Sequence, residues 1–174
     1  IYYGFNREES VLAYDDDSGT LHIGMDFNLD PMSAVICIRK GGTLIAVDEI
    51  VMYGSNTDEM VAEIISRYPR RNIIVYPDPA SRQRKTSAGG RTDLSILQNA
   101  GFSVKAKNSH ALVRDRINAV NSRLLSGDGE RHLYISPKCK QTIKSLERQT
   151  YKEGTSVPNK EDGYDHMNDA LGYL

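Results

Sequence analysis

The hydrophobic positions fall into short periodic blocks separated by glycine, proline and charge, and the period lengthens from two to nearly four along the chain. Residues 21–27 alternate. Leu21, Ile23, Met25 and Phe27 share one face and His22, Gly24 and Asp26 the other, the pattern of a half-buried strand. Residues 34–39 and 43–52 form two further apolar runs on either side of Lys40-Gly41-Gly42, a hairpin signal because glycine supplies the left-handed backbone that a tight turn requires. Three strands joined in this way predict an antiparallel meander.

Beyond residue 55 the pattern becomes helical. Asn56-Thr57-Asp58-Glu59 is a capping sequence, and Met60, Val61, Ile64 and Ile65 line one face of a helix that ends near Tyr68-Pro69. The β-branched run from Asn72 to Tyr76 is a fourth strand, closed by Pro77-Asp78-Pro79, and a polar loop follows over 80–91. A helix from about Thr92 to Ala100 stops at Gly101, and Phe102 to Ala106 supplies a fifth strand. A longer helix is expected over Ala111–Leu125, with Leu112, Ile117, Val120 and Leu124 inward. Then come a short strand at His132–Ile135, a helix beginning at Pro137, a loop or hairpin over 149–163 and a last helix from Asp165. Antiparallel strands followed by helix-linked strands give an α/β mixed sheet with helices on its faces.

Composition narrows the class without naming a function. With 174 residues, 39% hydrophobic and 26% charged, the chain suits one globular domain that needs no disulfide staple. Cys37 and Cys139, far apart in sequence and in no CxxC pattern, read as reduced thiols. No apolar run approaches the ~18 residues of a membrane span. Lys plus Arg is 22 against 23 for Asp plus Glu, so a polyanionic partner would have to be met by local charge. Residues 1–20 are polar, include Asp15-Asp16-Asp17, and are expected to be a lead-in or linker. Ile1 in place of a start methionine suggests an excised domain, and no GxxxxGK[ST] phosphate loop is present in the sequence.

The candidate chemistry is acidic. Asp26 ends the first strand, Asp78 follows the fourth, and Asp165 and Asp169 stand one turn apart on the last helix. Strands one and four can be neighbours in a sheet of this order, which would bring Asp26 and Asp78 together. A carboxylate inside an apolar strand is costly without a partner. Divalent magnesium or manganese is the economical one, because these ions prefer carboxylate oxygen. Several carboxylates without cysteine or paired histidine suit two ions ~3.5–4 Å apart, which activate water and stabilise the leaving oxygen of a phosphodiester. Singly, each acid has another reading: Asp26 and Asp78 as turn formers, and Asp165, Asp169 and Tyr173 as a solvated helix face. His166, beside Asp165, could touch a metal or orient a ligand.

Basic residues surround these acids in sequence. The loop after Asp78 holds Arg82, Arg84, Lys85 and Arg91 with no acid, and a second set, Lys105, Lys107, His110, Arg114 and Arg116, runs from the fifth strand into the next helix. Basic loops around an acidic centre fit a nucleic-acid backbone, the alternative being solvated charge. Replacing Arg82, Arg84 and Lys85 together is expected to weaken DNA association and flatten its salt dependence.

Gly24-Met25-Asp26-Phe27-Asn28, Tyr76-Pro77-Asp78-Pro79-Ala80-Ser81 and Asp165-His166-Met167-Asn168-Asp169-Ala170-Leu171-Gly172-Tyr173 together resemble the nuclease domain of the large terminase subunit of tailed double-stranded DNA phages. The terminal motif is the most specific of the three. The resemblance runs from about residue 20 to the end and implies an RNase H-like fold over 21–174, with 1–20 leading in from an N-terminal ATPase domain. It implies a metal-dependent endonuclease that cuts concatemeric double-stranded DNA, using two Mg or Mn ions. Asp26, Asp78 and Asp169 would be both catalytic and metal-binding, Asp165 either a fourth ligand or an acid standing behind the ligands, and no histidine base would be required. Implied partners are DNA, the small terminase subunit and the portal. The implied setting is the cytoplasm of the infected host, transiently at the procapsid, with no membrane. Rival readings are a resolvase- or transposase-type nuclease of the same superfamily, an actin-like or sugar-kinase fragment, and a non-catalytic docking module for DNA or portal.

Overall fold

The computed structural model describes residues 1–16, 18–28, 30–82 and 89–174, with the side chain of Arg82 left out. Among the described residues, six strands form one mixed sheet in the order β5-β4-β1-β2-β3-β6. The meander is β1 (Leu21–Asp26), β2 (Met32–Lys40) and β3 (Thr43–Met52), antiparallel throughout and turned at Gly41, whose φ is +61°. β4 (Ile73–Pro77) runs parallel to β1, β5 (Ser103–Val104) parallel to β4, and β6 (Leu133–Ile135) parallel to β3 at the opposite edge.

The alternation of β1 sorts the molecule into two faces. Leu21, Ile23 and Met25 are wholly buried in a core with Met60 and Ile64 of α2 (Thr57–Arg67) and Ile96 and Leu97 of α3 (Asp93–Asn99). Both helices start as their sequences direct. The Asn56 side chain accepts from the Glu59 amide at 2.9 Å, and Thr92 and Ser95 form a reciprocal capping box. The other face is covered by α4 (Val113–Leu124), α5 (Lys140–Arg148) and α6 (Asp165–Gly172), which pack Ile117, Val120, Ile143, Met167 and Leu171 against Val35 and Cys37 of β2.

The close approach of α6 depends on one residue. A Cβ at Gly24 would lie 1.9 Å from the backbone oxygen of Ala170, so only glycine lets the helix lie directly on the strand. This seats the first turns of α6 beside the end of β1.

Four expectations change. Residues 1–16 do not hang free as a lead-in. A short helix, α1 (Arg7–Ser10), forms there, Tyr2 is buried, Val11 bridges to Ile135, and the Gly4 amide donates to Asn121 Oδ1 at 3.2 Å. The fifth strand is only two residues long. The helix expected from Pro137 begins at Lys140, where Glu49 accepts from the Gln141 and Thr142 amides at 2.7 and 2.8 Å and so caps it from β3. Leu112 is not inward but 65% exposed, because α4 starts one residue later.

Candidate active site

Parallel pairing aligns Met25 with Pro77, which places Asp26 and Asp78 next to each other at the same end of β1 and β4. A hydrogen bond from the Asp78 amide to the Met25 carbonyl, 3.0 Å, fixes that neighbourhood through the backbone. The turn former and the candidate ligand are one residue here. Asp78 Oδ1 accepts from the Ala80 amide at 2.8 Å, which leaves its other oxygen outside that turn. Asp26 likewise accepts from the Asn28 amide at 3.1 Å.

Helix α6 supplies the remaining acids. Asp165, Asp169, Asp26 and Asp78 line one cleft of about 420 Å³. The solvated-face reading of α6 fails for its acids, since Asp165 is 4% exposed and the Asp169 side chain 22%. Each acid in the cleft faces a protein cation or imidazole. His166 Nδ1 donates to Asp26 Oδ2 at 3.1 Å, and Arg116 Nη2 lies 3.3 Å from Asp169 Oδ1 while its guanidinium stacks 4.9 Å from the Tyr173 ring. Lys160 Nζ stands 3.8 Å from Asp165, and His110 Nδ1 3.9 Å from Asp78.

The electrostatics record the crowding. Burial, with Asp26 and Asp165 nearby, pushes the Asp169 carboxyl up to about 6 despite the opposing pull of Arg116. The hydrogen bond to Asp26 raises the His166 imidazole against the effect of its own burial. Among the described residues, no three His, Cys, Asp or Glu side chains close into a finished metal cage. The donor set nevertheless fits a hard divalent cation. The four acids offer only carboxylate oxygen, and Asp165 Oδ1 is buried without a hydrogen-bond partner.

The residues expected on a DNA-binding surface are scattered. Arg84 and Lys85 lie outside the described residues, as does the Arg82 side chain. Arg91 pairs with Asp58 at 3.0 Å, Lys105 lies 5.9 Å over the Tyr76 ring, and Lys107 lines a second groove beside α4. Arg116, read from sequence as part of a basic set, turns inward to Asp169. The roles of Asn28, Lys160 and Gly24 were not foreseen. Gly24 alone has a signal, its place between the polar residues His22 and Asp26 on one face of β1.

The family model that matches, described as a terminase RNaseH-like domain, spans residues 23–174. The chain belongs to that family. Solved terminases share the fold. The large terminase of a thermophilic bacteriophage, in complex with ATP-gamma-S, superposes with a TM-score of 0.75 at 19% identity, covering 99% of this chain and 43% of that one. This terminase domain thus spans less than half the length of that relative. The nuclease domain of the P22 large terminase gives 0.70 at 13% identity, with 97% and 87% coverage. That of bacteriophage SPP1, with bound Mn, gives 0.60 at 16% identity, with 95% and 94% coverage. No curated protein sequence matches the chain. The α/β mixed sheet of the terminase domain is therefore RNase H-like, as its motifs implied.

Proposed function

We propose that this domain is the metal-dependent endonuclease of a DNA-packaging terminase, hydrolysing phosphodiester bonds of double-stranded DNA with Asp26, Asp78, Asp165 and Asp169 as the residues that hold two divalent cations. The observation that carries the reading is the convergence of these four carboxylates, from two adjacent parallel strands and one helix, in a single cleft. Bound there, Mg or Mn would polarise the phosphate, activate water and offset charge on the departing oxygen. The SPP1 nuclease domain with Mn and the large terminase nuclease of phage G20c with Mg support the choice of ions.

The chain's own groups hold and orient. Backbone bonds at Met25 and Ala80 fix Asp78, and His166 aims one oxygen of Asp26 while the Asn28 amide holds the other. Arg116 keeps a positive charge against Asp169, so this carboxylate stays ionised above about pH 6 and ready to receive a cation. His166 serves to orient Asp26 and is not required as a general base. In the full-length protein an ATPase domain, the small subunit and the portal would be partners, in the cytoplasm of the infected host.

Incubating the chain with supercoiled plasmid and Mn tests the reading. Chelator-sensitive relaxation and linearisation are expected. Intact supercoils across a range of Mn concentrations would reject it, and a strong preference for branched junctions over plain duplex would favour a resolvase instead.

A further inference from the structure

The acid cleft occupies only one end of the α4–α6 face. At the other end, where α6 finishes, lies a groove of about 250 Å³ whose polar wall is Arg39, Lys107 and Arg123 and whose floor includes Leu44, Val120 and Leu133. Among the described residues, no acidic side chain lines it. All three cations are exposed, and none pairs with a carboxylate side chain among the described residues. Arg123 is tethered by donating from Nη1 to the Gly42 carbonyl at 2.7 Å. Burial, together with Arg39 and Lys105, holds His22 below the usual imidazole range, and His22 in turn contacts the Tyr76 hydroxyl at 3.0 Å.

The two sites share their walls. α4 carries Arg116 in the cleft and Arg123 in the groove, seven residues apart or roughly 10 Å along a helix. The loop before α4 presents Lys107 to the groove and His110 to the cleft. On β2, Ser33 lies opposite Asp26, and Arg39 is six residues further, about 20 Å along a strand. At about 3.4 Å of rise per nucleotide in a strand, these spans correspond to roughly three to six nucleotides.

We propose that this groove is a backbone-binding subsite, in which Arg39, Lys107 and Arg123 hold phosphates of the DNA strand about three to six nucleotides from the phosphate in the acid cleft. The assignment rests on the nuclease reading for its ligand, and it makes the substrate footprint asymmetric: strongly held on the α6 C-terminal side of the cut. Exposed, unpaired cations at the rim of an apolar groove would hold phosphates through charge and without reading sequence.

The test is binding of a fluorescent DNA duplex in chelator, so that cleavage is absent, across a salt series. The double substitution Arg39→Gln/Arg123→Gln should lower the slope of log K against log salt by about 1.8, and Lys107→Gln, on an exposed loop, by about 0.9. Arg39→Lys/Arg123→Lys should keep the slope. Unchanged slopes in folded variants would overturn the proposal. So would a lowered melting temperature with normal DNA binding, which would make the arginines counter-charges for the α6 C-terminus. If the glutamine pair does not fold, Lys107→Gln decides alone. The two readings fail separately: a wild type that cuts while the variants bind normally refutes the groove, and a wild type that binds with the expected slopes but never cuts refutes the nuclease.

Discussion

The two faces of β1 are built from one strand and behave as opposites. On one, Leu21, Ile23 and Met25 are fully enclosed in an apolar cluster with residues of α2 and α3. On the other, Gly24 and Asp26 meet a helix that brings two more carboxylates and is held at contact distance by the absence of a side chain at Gly24. The apolar face contributes stability through area removed from water. The polar face holds like charges together at a cost in stability, offset by Arg116, His166 and Lys160. The comparison teaches that the site is a strained electrostatic arrangement resting on an ordinary core, so adjacent residues of the same strand should affect different properties when changed.

Substitutions at that strand break the comparison most sharply. Asp26→Asn should reduce Mn-dependent plasmid cutting at least about 100-fold, the scale of losing a group that organises charge in a reaction centre, while circular dichroism and melting stay near wild type. Asp78→Asn and Asp169→Asn should behave alike. The neighbouring Met25→Ala should do the reverse, lowering stability in denaturant by about 2–5 kcal/mol while the folded fraction still cuts. Gly24→Ala joins the two faces: its methyl would strike the Ala170 carbonyl, so it should destabilise by about 1–3 kcal/mol or more and also impair cutting by pushing α6 away from β1. Loss of only one of these properties would show that α6 adjusts independently of the strand.

A pH series sharpens the same contrast. The unfolded chain loses the Asp169 proton near 3.8 and the folded chain near 6. Between these values the fold binds more protons, so this group's contribution to stability is full below pH 3.8 and is lost as pH rises through about 6. Asp169→Asn should therefore flatten the dependence of melting temperature on pH over that window, and cutting by the wild type should fall below about pH 6. His166 has the opposite charge logic but the same direction: its bond to Asp26 stabilises the fold below 6.5 and fades as pH rises above its elevated folded value. The smallest effect belongs to neither face. Arg91→Ala should change stability by less than about 1 kcal/mol, since its pair with Asp58 is half exposed on both sides.

Much of the scaffold was legible because local rules and tertiary structure agree. Period-two alternation set β1, two glycines set the hairpin, and Asn56 and Thr92 set two helix starts. The adjacency of Asp26 and Asp78 followed from strand order alone. What escaped the sequence depended on contacts between distant segments. The cap of α5 comes from Glu49, over ninety positions upstream, which no local signal announces. Arg116 looked like part of a basic stripe, and only the packing of α4 on α6 turns it toward Asp169. Val11 and Tyr2 sit in a polar stretch, yet Val11 bridges to Ile135 of β6 and Tyr2 is buried beside Arg116 and Asp169. His166 stands beside Asp165 in sequence and lies 3.7 Å from it, but no local signal shows its 3.1 Å bond to Asp26, 140 positions away.

The central claim is that four carboxylates in one cleft hold divalent cations. Crystals soaked in Mn and measured at its absorption edge test it most directly. The account predicts anomalous density between the Asp26 and Asp78 carboxylates, extending toward Asp169 and lost in Asp26→Asn. Density elsewhere on the chain, or density in the cleft unchanged by that substitution, would contradict it.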